Sequence, residues 1–265
     1  MIIINTKIKK ILDNIIILLP FFIVSCSTDL EQLQKKNGIK YQIASDKPFS
    51  GFVYEEHLSD RIKLKGYYNN GQKEGLWTEW YENGFKWKES IWTNGKLIKV
   101  TKWDYYDNGK KREEASYIDG VKFGLFINWY ENGNKKIKEI YEDGEKNGLS
   151  TWWNTEGNKT IQITYEDGKR KGLGTWWNDN GQKTSEGTYN DGIKNGLFTH
   201  WYENGNLSQK GTFMNGKRHG LRFYWHLNGK KESKWNYKDG KKDGESIFWY
   251  ENGQKKLEVS YKDGE

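Results

Sequence analysis

Large and polar residues alternate one by one along short runs of this chain, and glycine punctuates the runs. Ile161, Ile163 and Tyr165 interleave with Thr160, Gln162 and Thr164, and Leu257, Val259 and Tyr261 with Lys256, Glu258 and Ser260. A period of two marks a β-strand whose two faces meet different surroundings. Aromatic and β-branched residues, which suit a pleated surface, fill the runs. Asn-Gly pairs close many of them, among them Asn83-Gly84, Asn132-Gly133, Asn204-Gly205 and Asn252-Gly253. A type I′ turn needs positive φ at both central residues, which Asn and Gly tolerate best, so these pairs are expected to form such turns. The second connection is an Asp-Gly or Asn-Gly pair with another Gly four residues on, as in Asp143-Gly144-Glu145-Lys146-Asn147-Gly148. Strand is predicted throughout, and no helical period is visible from residue 47 onward.

The pattern is one unit repeated. Gly71, Gly95, Gly120, Gly144, Gly168, Gly192, Gly216, Gly240 and Gly264 recur at a step of 24 residues, with a single step of 25 after Gly95. A second Gly lies four residues on, a Trp nine on, a third Gly thirteen on and an aromatic twenty-one on. The Trp position is held by Trp80, Trp129, Trp153, Trp177, Trp201, Trp225 and Trp249, which are expected to be structural. One unit is irregular: Lys99 replaces its inner Gly, and an extra residue shifts Trp103, Gly109 and Tyr117. Gly51, Phe52 and Tyr68 fit the frame, so residues 47–70 form a worn first copy. The three glycine positions hold 25 of the 30 glycines, far beyond chance, and a period in this range means a repeat architecture.

Pleat alternation sorts the side chains. One face is expected to carry Leu125, Ile127 and Trp129, with Leu149, Thr151 and Trp153 or Leu221, Phe223 and Trp225 in later copies. Ile161, Ile163 and Tyr165 are assigned to it from the second strand, and it is expected to be the structural face. The opposite face, expected to be wetter, carries Trp77, Tyr81, Tyr130, Trp152, Trp176, Tyr202, Tyr224, Phe248 and Tyr250. Together with Trp87 these rings make the candidate binding face.

The unit D-G-x-x-x-G-L-x-x-x-W-Y-x-N-G-x-x-K, nearly complete from Asp191 to Lys210 and from Asp119 to Lys136, resembles the MORN-repeat variant family. It is most similar to the bacterial group known as YwqK-family antitoxins, and the resemblance spans about 47–265. It departs from the shorter eukaryotic MORN pattern, so phospholipid binding does not carry over. The resemblance implies an all-β fold: an elongated, twisted, single-layer antiparallel β-meander of 24-residue hairpin repeats. One degenerate copy plus eight repeats gives about 16–18 strands, some 80 Å end to end at about 4.8 Å per strand. Composition agrees. A mean hydropathy of −1.00 suggests a solvated chain, yet 42 Trp, Tyr and Phe residues argue against disorder.

The N-terminus adds a compartment. Lys7, Lys9 and Lys10 precede an apolar run from Ile15 to Val24 that ends Ile23-Val24-Ser25-Cys26. These are the parts of a secretory signal, and the last four residues resemble the lipobox of bacterial lipoproteins. That resemblance implies a signal peptide over 1–25, lipid on Cys26, a tether over 26–46 and the repeat domain over 47–265. The apolar run is about half what a spanning helix needs. Cys26 is the single cysteine, which leaves no disulfide framework. The protein is thus expected in the cell envelope, anchored to a membrane by lipid.

No chemistry stands apart from the repeat. His57, His200, His219 and His226 occupy unrelated repeat positions without ligand spacing. Asp119, Asp143, Asp167, Asp191, Asp239 and Asp263 precede turn glycines and lack the spacing of a calcium loop. The chain is therefore expected to be no enzyme and to use no metal or cofactor. Its net charge of +7 is spread along the chain, and 36 acidic residues nearly match 43 basic ones, so no nucleic-acid partner is expected. The leading expectation is a protein-interaction scaffold. One alternative is carbohydrate or cell-wall binding through exposed aromatic rows. Another is an antitoxin or immunity protein acting on a toxin outside the cytoplasm.

Overall fold

The computed structural model describes residues 27–265; Cys26 and the expected leader over 1–25 lie outside them. Short turns and short loops alternate along the chain, so each strand runs back antiparallel beside its predecessor. The outcome is one sheet of 21 strands in which sequence neighbours pair from Gly51–Glu56 through to Lys255–Tyr261. Two units have their first strand broken at the inner glycine, as in Glu145–Lys146 followed by Gly148–Trp153. Counting each broken pair once, the meander runs to 18 strands, within the expected range. One parallel pair, Thr28 and Asp29 against Val53 and Tyr54, makes the sheet mixed at its beginning. Among the described residues the first and last strands of the meander do not pair with each other, and the sheet stays open. Within the stretch assigned as a tether, Leu33–Lys36 and Ile39–Gln42 form a hairpin. Leu33 there packs with Val53, Tyr68 and Trp77.

The type I′ turn expected at the loop Asn-Gly pairs is found instead at the second connection. Asp191 and Gly192 have φ of 49° and 80°, both positive, as a type I′ turn demands. Asn204-Gly205 differs, because only the Gly is left-handed, at φ 84°. Its N–H donates to the Tyr202 carbonyl at 2.9 Å, while the Asn206 N–H donates to Asn204 Oδ1 at 3.0 Å. This is a type I turn followed by a left-handed Gly, the three-residue hairpin with a bulge. The Asn amide is what holds it there, since Asn204 Nδ2 also donates to the Leu227 carbonyl of the next unit at 2.9 Å.

The seven full units that keep the inner glycine also carry a bulge there. Gly187 pairs with Phe198 and Tyr189 with Lys194, so Asn195, Gly196 and Leu197 face Thr188 alone. Thr188 Oγ1 closes the gap by donating to the Asn195 carbonyl at 2.5 Å. The following leucine is lifted outward: Leu173, Leu197 and Leu221 are 53%, 43% and 46% exposed.

The bulges correct the expected division into faces. His200 pairs with Gln209 but Trp201 with Leu207, so the loop hairpin slips by one residue. A slip of one moves a strand's side chains to the other face. Ile161 and Ile163 therefore sit opposite Trp176 and Gly174, and join the face expected to be wet. That face holds the buried clusters: Ile163, Tyr189 and Phe198 in the middle, Val53, Tyr68 and Trp77 near the beginning. The Leu–Thr–Trp face, expected to be structural, is the one with exposed leucines.

Candidate interaction surface

On the drier face, most of the candidate rings are occupied with packing. Trp77 is 1% exposed and meets Tyr68 edge-on at 5.0 Å. Trp152 and Trp176 flank the central cluster. Phe248 meets Trp235 edge-on at 4.9 Å, and Tyr224 accepts a hydrogen bond from Arg222 Nε at 2.9 Å. Tyr130 and Tyr202 serve a different purpose, as their hydroxyls donate to the carbonyls of Trp153 and Trp225 at 2.8 and 2.7 Å. His57 and His226 contact Trp80 and Trp249 carbonyls from the same loop position. These bonds stitch each loop to the next unit. Tyr81, Trp87 and Tyr250 are left over; Tyr81 is 40% exposed and Tyr250 50%.

The opposite edge is stitched through the backbone. The N–H groups of Gly192, Gly216 and Gly240 donate to the carbonyls of Arg170, Lys194 and Arg218, each at 2.9 Å. Those basic residues cap the aromatic face. Lys73 lies 4.1 Å from the Trp77 ring centre, Lys122 4.2 Å from Phe126 and Lys242 4.0 Å from Trp235. A cation over a ring face is attracted by the ring quadrupole, which lets the long side chains shield the core. Burial pushes the Lys73 ammonium below its ordinary value. A basic residue two positions after the turn glycine recurs in every unit but one, where Leu97 stands, and was legible in the sequence.

Glu139 is buried beside the same row, at 3% exposure. It receives Tyr141 Oη at 2.6 Å and pairs with Lys146 Nζ at 2.6 Å. Burial first, and then this carboxylate, hold the Tyr141 phenol far above its usual range.

The Leu–Thr–Trp face is open by comparison. Trp80, Trp129, Trp153, Trp177, Trp201, Trp225 and Trp249 are all half-buried there, in a row at repeat spacing. Leu76, Leu125 and Leu149 extend the exposed leucine row, and the threonines beneath, such as Thr175 and Thr199, are buried. Leu197, Leu221, Phe223 and Trp225 line a cavity of about 330 Å³ on this face.

The MORN repeat variant model matches five segments of the chain, residues 104–119, 170–191, 194–215, 218–239 and 242–263. The chain thus carries MORN repeats between residues 104 and 263. The matched MORN segments fall on the structural frame, each full one running from strand to tight turn. No curated protein matches the chain. Among solved structures it is similar to a GtfA/B complex bound to UDP and GlcNAc, with 13% identity over 43% of this chain and 22% of that one, at a TM-score of 0.20. It is also similar to a TcdB2-TccC3-TEV structure, with 9% identity over 80% and 13% of the two chains and a TM-score of 0.29. A porin-like protein from Bacteroides uniformis gives 9% identity over 82% and 91%, at a TM-score of 0.15. These scores are too low to indicate a shared overall fold.

Proposed function

We propose that this MORN-repeat protein is a non-enzymatic lipoprotein, anchored in the cell envelope through Cys26, whose ribbon is a scaffold for a protein partner. The observation that carries the scaffold reading is the periodic apolar relief of the Leu–Thr–Trp face. Leucines 38–54% exposed recur from Leu76 to Leu221 beside a row of half-buried tryptophans. Large exposed apolar patches rimmed by polar residues mark interaction sites, and aromatic residues dominate the energetics of such contacts. The anchor rests on the sequence around Cys26, and lipid plus further acyl chains is enough for stable attachment.

Two measurements test the two halves separately. Cys26→Ala is expected to release the protein from membranes and to abolish lipid labelling; a variant that stays membrane-bound removes the anchor from the proposal. For the scaffold, envelope extracts are passed over the tagged protein and over a Leu197→Asp, Leu221→Asp variant of equal thermal stability. A specific partner retained by the parent and lost from the variant is the expected result. Equal capture by both would sink the assignment to this face.

A further inference from the structure

The loop at residues 81–87 breaks a rule that the other loops keep. Three residues after the loop glycine the other units place polar side chains, as at Arg112, Lys136, Thr160, Thr184, Ser208 and Lys256; here stands Trp87. One residue after it the others place Lys110, Asn134, Asn158, Gln182 or Asn206; here stands Phe85. The other copies fold without these rings, so the fold itself does not require them. Tyr81 departs too. Its counterparts Tyr130 and Tyr202 donate to the next unit, whereas Tyr81 is 40% exposed and leans on Trp87 with ring centres 6.2 Å apart. Phe85, 38% exposed, stacks on Tyr105 at 4.8 Å.

Tyr81 and Trp87, with Trp80 and Leu64, bound a cleft of about 530 Å³; Phe85 lies outside its lining. The volume falls within the range of small-ligand sites, and an apolar lining with a few polar groups is their usual composition. The charged side chains that line it are Glu55, Lys63, Glu79 and Glu82, joined by His57, and lysines pair with Glu55 and Glu79. Lys63 Nζ lies 2.5 Å from Glu55, and Lys88 Nζ, which stands 5.0 Å from the Trp87 ring centre, lies 2.5 Å from Glu79. Each pair offers donors and acceptors side by side with no net charge. A charged ligand would have to break a pair to use it, and Glu82 adds a negative charge that disfavours anions. A hydroxyl both donates and accepts, so it can join either pair without doing so. The aromatic wall supplies the other half of what a pyranose presents, a flat face of C–H groups for a ring to stack against.

We propose that this cleft binds a neutral saccharide, with one sugar ring stacked on Trp87 and hydroxyls bridging the Glu55–Lys63 and Glu79–Lys88 pairs. It shares Trp80 with the tryptophan row, but neither the leucine row nor the cavity beside Leu221 contributes to it, so the two proposals are tested separately. The experiment is calorimetric titration of the full chain in detergent with chitotetraose, cellotetraose and maltotetraose. Choline chloride and tetragalacturonate are the cationic and anionic arms. The test variant is Trp87→Thr, because Thr160 and Thr184 hold that position in units that fold. At least one neutral tetrasaccharide is expected to bind, and Trp87→Thr to weaken it by about tenfold or more. The Leu197→Asp, Leu221→Asp variant should bind it unchanged. No binding of any neutral saccharide at millimolar concentration, tighter binding of choline or tetragalacturonate, or undiminished binding by Trp87→Thr would each overturn the proposal.

Discussion

Four glycines of this chain lie neither at a turn nor at a bulge, and each sits where a large side chain needs the room. A Cβ on Gly187 would fall inside the Phe198 ring, and one on Gly66 inside the Trp77 ring. The glycine leaves a hollow on the strand into which the ring across the pairing settles. Gly187→Ala is therefore expected to cost about 1–3 kcal/mol by overpacking, read as a lower midpoint in urea. Gly205 makes the comparison: space around it is open, but its φ of +84° disfavours any Cβ. His200 carries the pH dependence at this scale. Burial, and after it Arg222 and Lys194, lower its pKa below the ordinary 6.5. In the unfolded chain it takes up its proton first, so stability is complete above that value and declines as pH falls through the window beneath it. His200→Gln is expected to lose less melting temperature than the parent between about pH 7.5 and pH 5.

At the scale of the element, the two connections do different work. The tight Asp-Gly and Asn-Gly turns fix strand direction by backbone geometry alone and join units through glycine N–H groups. The longer loops join units through side chains, with Tyr202 reaching the Trp225 carbonyl. Tyr202→Phe removes one such link and leaves its carbonyl without that donor, a loss of about 1 kcal/mol in a urea titration. Tyr250→Phe is the control, since among the described residues its hydroxyl donates to no carbonyl and should make no measurable difference. The pattern Tyr-x-Asn-Gly thus stands for a joint between units as much as for a turn. Seen in sequence it looked like a hairpin signal and an exposed ring, because a bond to a residue 23 positions on belongs to the stacked units and not to either loop.

For the whole molecule, strands contact their neighbours and little else, so stability is a sum of unit and interface terms. Seven of the buried hydrophobic residues form two separate clusters, one around Trp77 and one around Phe198. Amide hydrogen exchange is expected to be slowest in the strands Lys159–Glu166, Lys183–Asn190 and Ile193–Trp201, which supply the central cluster. It should be fastest in the mostly exposed strand Lys255–Tyr261, with opening free energies graded between them. Uniform protection along the sheet would contradict this segmented core.

The sequence by itself determined the period, the strand character and the positions of both connections. All of these follow from local rules: alternation, glycine at positive φ, and a step repeated too often to be accidental. The tertiary structure decided which side of the sheet is dry. A one-residue slip at each loop and the bulge at each inner glycine reverse the facing of whole strands, and both depend on pairing that no single unit displays. That reversal placed Trp77, Trp152, Trp176 and Phe248 in packing roles and left the leucines after the inner glycines in the open. Trp87 remained as a ring that the repeat does not account for, with Tyr81 leaning on it.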